Sequence, residues 1–166
     1  NIYDAVRGAT KRIYPNSTSA EVTTSNTLTS FDSDGFSLGD QDNVNANGIT
    51  MASWNWKANG AGSSNSDGSI TSSVSASTTA GFSIVSYTGT GSNATVGHGL
   101  GSAPSVIFFK NRTDTENWVT YHEPLLQNNF LKLNDTAAAA SNSAFMNGTS
   151  PTSSVFSLGT FNNNNG

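Results

Sequence analysis

The 166-residue chain contains no cysteine. Disulfide frameworks and thiolate zinc sites are therefore excluded. Charge is also scarce. Asp, Glu, Lys and Arg make up 11% of the residues, against about 25% in an average globular domain. Only seven residues are Lys or Arg, the formal net charge is −4, and the basic residues form no stripe or cluster. A nucleic-acid partner needs a basic footprint over the phosphates, so none is expected. No apolar run reaches the roughly 18–20 residues needed to cross a bilayer, and no membrane insertion is expected. Residues 1–15 lack the apolar core of a signal peptide. Neither a Gly-Xaa-Ser-Xaa-Gly elbow nor a phosphate loop ending in Gly-Lys-Ser/Thr is present.

Ser, Thr, Asn and Gly fill the place of the missing charge and of much of the apolar share, which is 34%. This mixture suits β structure with polar, uncharged surfaces and many turns. Disorder combines low hydrophobicity with high charge, and the charge is missing here. Nine Phe, four Tyr and three Trp can seed a core. The length allows one domain or two small ones. Such a composition is common in extracellular and virion-surface proteins.

The chain also repeats itself. Phe-Ser-Leu-Gly occurs at 36–39 and at 156–159, each time followed by an Asn-rich segment, NVNANG at 43–48 and NNNNG at 162–166. PNSTSA at 15–20 matches LNDTAA at 133–138, and Tyr3-Asp4 matches Tyr121-His122. The offset is 118 residues at Tyr3/Tyr121, Asn16/Asn134 and Gly48/Gly166, and 120 at Phe36/Phe156. A two-residue indel on either side of FSLG would reconcile them. The chain thus reads as parts of two tandem copies. Residues 1–57 are the C-terminal half of one module. Residues 58–80, rich in Gly, Ser and Asn, read as a linker, with a short β pairing around Ile70–Val74 left open because Ser and Thr tolerate strands. Residues 81–166 are a second module lacking its last strand, the counterpart of ITMASWNW at 49–56.

Residues 15–30 read as a surface loop. In FDSDGFSLG (31–39), Asp-Ser-Asp-Gly supplies a tight turn before a short strand. ITMASWNW alternates as a strand with Trp54 and Trp56 on one face. Further strands are expected at 81–89, 95–104, 117–123, 128–135 and 153–159. PSVIFFKNR (104–112) is almost continuously apolar, the mark of a central strand buried on both faces. Residues 137–145 read as a loop with a turn of helix. Short strands about ten residues apart, glycine turns and no long amphipathic helix argue an all-β fold, an antiparallel, jelly-roll-like β-sandwich.

As an ordered set, GFSIVSYTGTG, TVGHGLGSAPSVIFFKNR, NWVTYH, SFDSDGFSLG, NVNANG and ASWNWKANG resemble the tandem β modules of unknown function in tail-fibre-like and structural proteins of marine bacteriophages. The resemblance covers nearly the whole chain. It implies a non-enzymatic virion structural protein, on the virion surface or extracellular, in a tail fibre, an appendage or a capsid decoration. Its partners would be other virion proteins and copies of itself, with a trimer as the first oligomer to test. Members of that family often carry a cysteine in the tryptophan strand where Asn55 stands here. A structural role survives that change; a metal or redox role does not.

Several residues invite a chemical role and have a simpler one beside it. His98, between glycines in VGHGLG, fits a ligand or a turn histidine bonded to backbone. Asp32-Ser33-Asp34-Gly35 resembles the start of a calcium loop, but no late acidic ligand follows before Asp40. Its counterpart is Thr152-Ser153-Ser154-Val155, so a turn is the better reading. No cofactor, metal site or catalytic residue is assigned. Two alternatives to a purely structural role remain, a lectin-like module contacting host surface glycans and a glycan-degrading enzyme. Trp118, Tyr121 and His122 are the candidate glycan contacts. Trp54 and Trp56 are better read as sealing the core, because a pair on one strand face buries much area.

Overall fold

The computed structural model describes residues 1–166 and is all-β with antiparallel sheets. The first stretch carries β1 (Ile2–Asp4), β2 (Gly8–Ile13), β3 (Val22–Thr23), β4 (Leu28–Phe31), β5 (Phe36–Leu38) and the one-turn helix α1 (Asp42–Asn45). A meander follows, made of β6 (Ser63–Asn65), β7 (Ser72–Ser77) and β8 (Phe82–Ser86). The last stretch holds β9 (Ala94–Gly97), β10 (Val106–Phe109), β11 (Val119–His122), β12 (Asn129–Lys132), β13 (Ala140–Ser141), β14 (Val155–Leu158) and a second one-turn helix, α2 (Asn162–Asn165). The sheets are β1-β2-β3, β4-β5, β6-β7-β8, β14-β9 and β10-β11-β12-β13. A parallel bridge from Ile70 to Val96 links the meander to β9.

The core lies between the β9–β14 pair and the inner face of the β10–β13 sheet. Val96, Phe156 and Leu158 come from the pair, while Phe109, Val119, Tyr121 and Phe130 come from the sheet, with Phe145 and Met146 closing one end. Aromatic edges meet across the gap, with Phe109 and Phe156 ring centroids 5.4 Å apart at 75°. That edge-to-face geometry suits the ring quadrupoles.

The repeat is visible as structure. β1, β2 and β3 match β11, β12 and β13, and β5 with α1 matches β14 with α2. Individual bonds recur as well. The Thr24 N–H donates to Thr10 O (3.0 Å), as Asn142 does to Asn128 O (2.8 Å). The Asn45 amide donates to Gly39 O (2.9 Å), as Asn165 does to Gly159 O (2.6 Å). A Cβ on Gly39 would collide with the Asn26 carbonyl, and one on Gly159 with the equivalent Ala144 carbonyl. Both glycines are therefore demanded by close backbone approach.

The register differs from the expected one at a single point. The helices pair Asn45 with Asn165, an offset of 120 that persists to the end, so Ala46 rather than Gly48 matches Gly166. One indel, between Thr27/Phe145 and Asp32/Thr152, where the first copy runs through β4, replaces the two expected around FSLG.

Four segments depart from the sequence reading. Residues 58–80 are not a linker: they contain β6 and β7, and Ile70, Ser72, Val74 and Ser75 are buried. Serine can be buried there because its hydroxyl finds backbone partners, Ser75 Oγ donating to Gly60 O at 2.7 Å. Residues 15–30 hold β3 and the start of β4 rather than a bare loop. Residues 49–56 pair with nothing, and Trp54 and Trp56 are 78% and 68% exposed. They do not seal the core; Trp56 only stacks on Phe82, at 6.2 Å. Alternation alone cannot make a strand when no neighbour offers its edge. Finally, residues 106–109 form an edge strand, with Val106 and Phe108 on an uncovered face.

Candidate binding site

Alternation along β11 decides the fate of the three sequence candidates. Tyr121 points into the core and is 3% exposed. Burial pushes its phenol pKa up, and the Glu123 carboxylate adds to this. His122 is exposed on the opposite, outer face, opposite Val106 of β10. Trp118 precedes the strand and is 4% exposed, because the first copy covers it: its indole N–H donates to Tyr14 O at 2.7 Å. Trp118 and Tyr121 therefore present no ring to a sugar. The structure does not join the three into one surface.

The same alternation builds a different site. Val106 and Phe108 share the outer face of β10. Phe108 pairs with Thr120 and Thr120 with Leu131, giving a row across three strands. Phe108 is 57% exposed and Leu131 38%. Thr120 lies buried between them, and its hydroxyl has no hydrogen-bond partner. This row floors a groove of about 360 Å³, with Lys132 and Asp135 at its rim. Their charges are 3.7 Å apart.

A wider hollow of about 600 Å³ continues from it along Leu133, Asn134, Asp135 and Thr136 to Pro15 and Asn16. The two repeat-equivalent turns, Pro15-Asn16 and Leu133-Asn134, line this hollow together. Asn134 is held in place by accepting from the Trp118 N–H (2.8 Å) and donating to Asn117 Oδ1 (3.0 Å). An exposed ring, an apolar floor and amides at the side suit a sugar ring or an extended peptide. The sequence reading missed this face because an unbroken apolar run at 106–109 looks buried on both sides. The useful signal was alternation within the run, which sets Val106 and Phe108 on one face and Ile107 and Phe109 on the other.

Elsewhere several titratable groups are taken up by structural bonds. Glu21 accepts from Arg112 Nε (2.9 Å) and Nη2 (3.0 Å) and from Arg7 Nη1 (3.0 Å), and Arg7 also pairs with Asp4. Desolvation pushes the Glu21 carboxyl up, but the Arg112 and Arg7 guanidiniums together outweigh it and hold the pKa below the usual range. This cluster ties the first copy to the second. His98 is 2% exposed. Its Nδ1 accepts from the Leu100 N–H (3.2 Å), which assigns the proton to Nε2, facing Thr152 O at 3.2 Å. Burial lowers the His98 pKa, against smaller opposing effects from the Thr152 carbonyl and Asp67. Asp32 accepts from the hydroxyls of Ser30 and Ser37, both at 2.8 Å, within the β4–β5 turn.

No curated protein and no solved structure matches this chain. One family model does, over residues 1–166, and the chain belongs to that family, a domain of unknown function (DUF7483).

Proposed function

We propose that the chain is a non-enzymatic structural module of a tandem β array, serving assembly in a bacteriophage tail fibre, appendage or capsid decoration. The observation that carries this reading is the recurrence of individual bonds between the two copies. The same glycine contact, the same asparagine tie and the same one-turn helix occur twice, as in arrays whose stability sums module cores and neighbour interfaces. The charged cluster of Arg7, Glu21 and Arg112 acts as such a neighbour interface. The resemblance of the sequence motifs to phage modules supplies the context, with self-association and virion proteins as partners at the virion surface. Immunogold labelling of purified particles with antibody to this chain tests the reading. Label at a regular position on the particle is the expected result. Its absence from particles that are otherwise complete would overturn it.

A second reading, host-glycan binding, is favoured by the exposed Phe108 ring over the groove it shares with Leu131. A glycan array with wild type and Phe108→Ala tests it: selective binding lost in the variant supports it, and no binding overturns it. Trp118→Ala would report on stability instead, because that ring is buried. Release of reducing sugar from host polysaccharide would favour a glycan-degrading enzyme over both.

A further inference from the structure

The two copies differ in what covers them. β14 and α2 are sheathed by the segment from Tyr87 to Gly97. β9 pairs along β14, with Phe156 opposite Val96 and Leu158 opposite Ala94. The Tyr87 hydroxyl donates to Asn164 O at 2.5 Å, and the Gly91 N–H to Asn165 O at 3.0 Å. The Asn165 side chain completes the clasp, accepting from the Thr90 N–H (2.8 Å) and donating to Ser92 O (2.6 Å). Under this cover Phe156 and Leu158 are 3% and 0% exposed, and Asn163, Asn164 and Asn165 are buried.

The equivalent surface on the first copy is bare. Leu38, the counterpart of Leu158, is 39% exposed. Asn45, the counterpart of Asn165, is exposed, and its amide donates only to Gly39 O. β5 has β4 on one edge and nothing on the other. Bond parity shows which edge is open. The Gly39 N–H donates to Thr27 O and the Asp32 N–H to Gly35 O, so residues 35, 37 and 39 face β4. Backbone groups of Phe36 and Leu38 therefore point the other way. In the second copy that same parity meets β9, as the His98 N–H donating to Ser154 O shows.

We infer that the open edge of β5 together with α1 is a docking site for an extended segment of the β9 type, a Tyr-Thr-Gly-Thr-Gly-Ser-Asn-Ala-Thr-Val-Gly strand from another copy of the repeat. It would add to β5 by backbone pairing. Its tyrosine would donate to Val44 O, and Asn45 would hold its turn as Asn165 holds Thr90 and Ser92. The inference rests on the assembly reading above and names the partner that reading leaves open.

The test is a synthetic peptide of residues 84–98 added to the 15N-labelled full chain. The chain's own 87–97 segment is tethered at high effective concentration, so the peptide is directed to the free edge. Saturable shifts confined to residues 36–46, at peptide below about 1 mM, are expected. A peptide with Tyr87→Phe should bind roughly five-fold more weakly, for one lost hydrogen bond. Asn45→Ala in the host, an exposed position that leaves folding intact, should weaken it at least about ten-fold. No shifts at 1 mM would overturn the proposal. So would equal binding of a scrambled peptide, shifts at 155–165 instead, or indifference to Asn45→Ala. A dimer that the peptide dissociates would identify a second copy of this chain as the natural source. Peptide binding by a monomer would point to another protein carrying the repeat. A chain that is found in particles but binds no peptide refutes the docking alone. One that binds peptide but is absent from particles refutes the virion context alone.

Discussion

Asn165 and Asn45 occupy the same place in two copies, so the same substitution at both measures the value of the surrounding clasp. At Asn165 three bonds are lost on mutation to alanine: to Gly159 O, to Ser92 O, and from the Thr90 N–H. A hydrogen bond contributes about 1 kcal/mol net, and a buried group left unpaired costs about 1–3 kcal/mol. With the side chain 1% exposed, little water can replace the lost partners. Asn165→Ala should therefore destabilise the chain by about 3–5 kcal/mol, a large part of a typical 5–15 kcal/mol. At about 2–4 °C per kcal/mol for a chain of this size, Tm falls by roughly 6–20 °C. Asn45→Ala removes one bond at an exposed site, about 0.5 kcal/mol, and shifts Tm by roughly 1–2 °C. Asn165→Asp should cost at least as much as alanine, since it sets a carboxylate oxygen against two carbonyls. Urea unfolding with matched m values is the assay. Losses at the two sites that agree within about 1 kcal/mol would refute the reasoning.

Acid should destabilise the chain in two windows. The folded His98 pKa is depressed, so between about 6.5 and that lower value the unfolded state binds the proton and stability falls as pH falls. His98→Asn should flatten urea midpoints between pH 7.5 and 5. The folded Glu21 pKa is also depressed, so the stability it contributes is complete above about 4.3 and is lost as pH drops through the folded value. Glu21→Gln should lower stability at pH 7 and flatten the slope below pH 4.5. Iodide should quench Trp54 and Trp56 and spare Trp118; equal quenching of all three in single-tryptophan variants would contradict the burial pattern.

Most of the fold was legible where local chemistry decides it. The Asp-Ser-Asp-Gly turn, the β8, β9, β11, β12 and β14 strands and the repeat itself follow from turn residues and side-chain alternation. Burial was less legible, because it depends on a neighbour that alternation does not name. Ile49, Met51, Trp54 and Trp56 alternate as a strand should, and all four are exposed. Ser72, Ser75 and Thr27 look like surface and are buried, since backbone carbonyls absorb their hydroxyls or small size admits them. The candidate groove failed for the same reason. Phe108 and Phe109 are adjacent and chemically identical, yet one is 57% and the other 4% exposed. Alternation puts them on opposite faces of β10, and only the Phe109 face is packed against the core.

The paired copies act as an internal control on this distinction between local shape and cover. FSLG folds the same way twice: strand, glycine pressed against a carbonyl, helix turn, asparagine bonded back to the glycine. Those features survive with and without a covering segment, so short-range sequence determines them. Exposure does not survive: Leu158 is sealed and Leu38 is open. The difference cannot lie in the motif, which is identical, and must lie in the segment that reaches it. The single indel supports this. It falls between Thr27/Phe145 and Asp32/Thr152, ahead of the surface that Tyr87–Gly97 covers in the second copy, so the surface offered at β5 keeps the geometry of the one at β14. A motif that keeps an asparagine clasp and a free strand edge where nothing yet engages them retains the form of an acceptor.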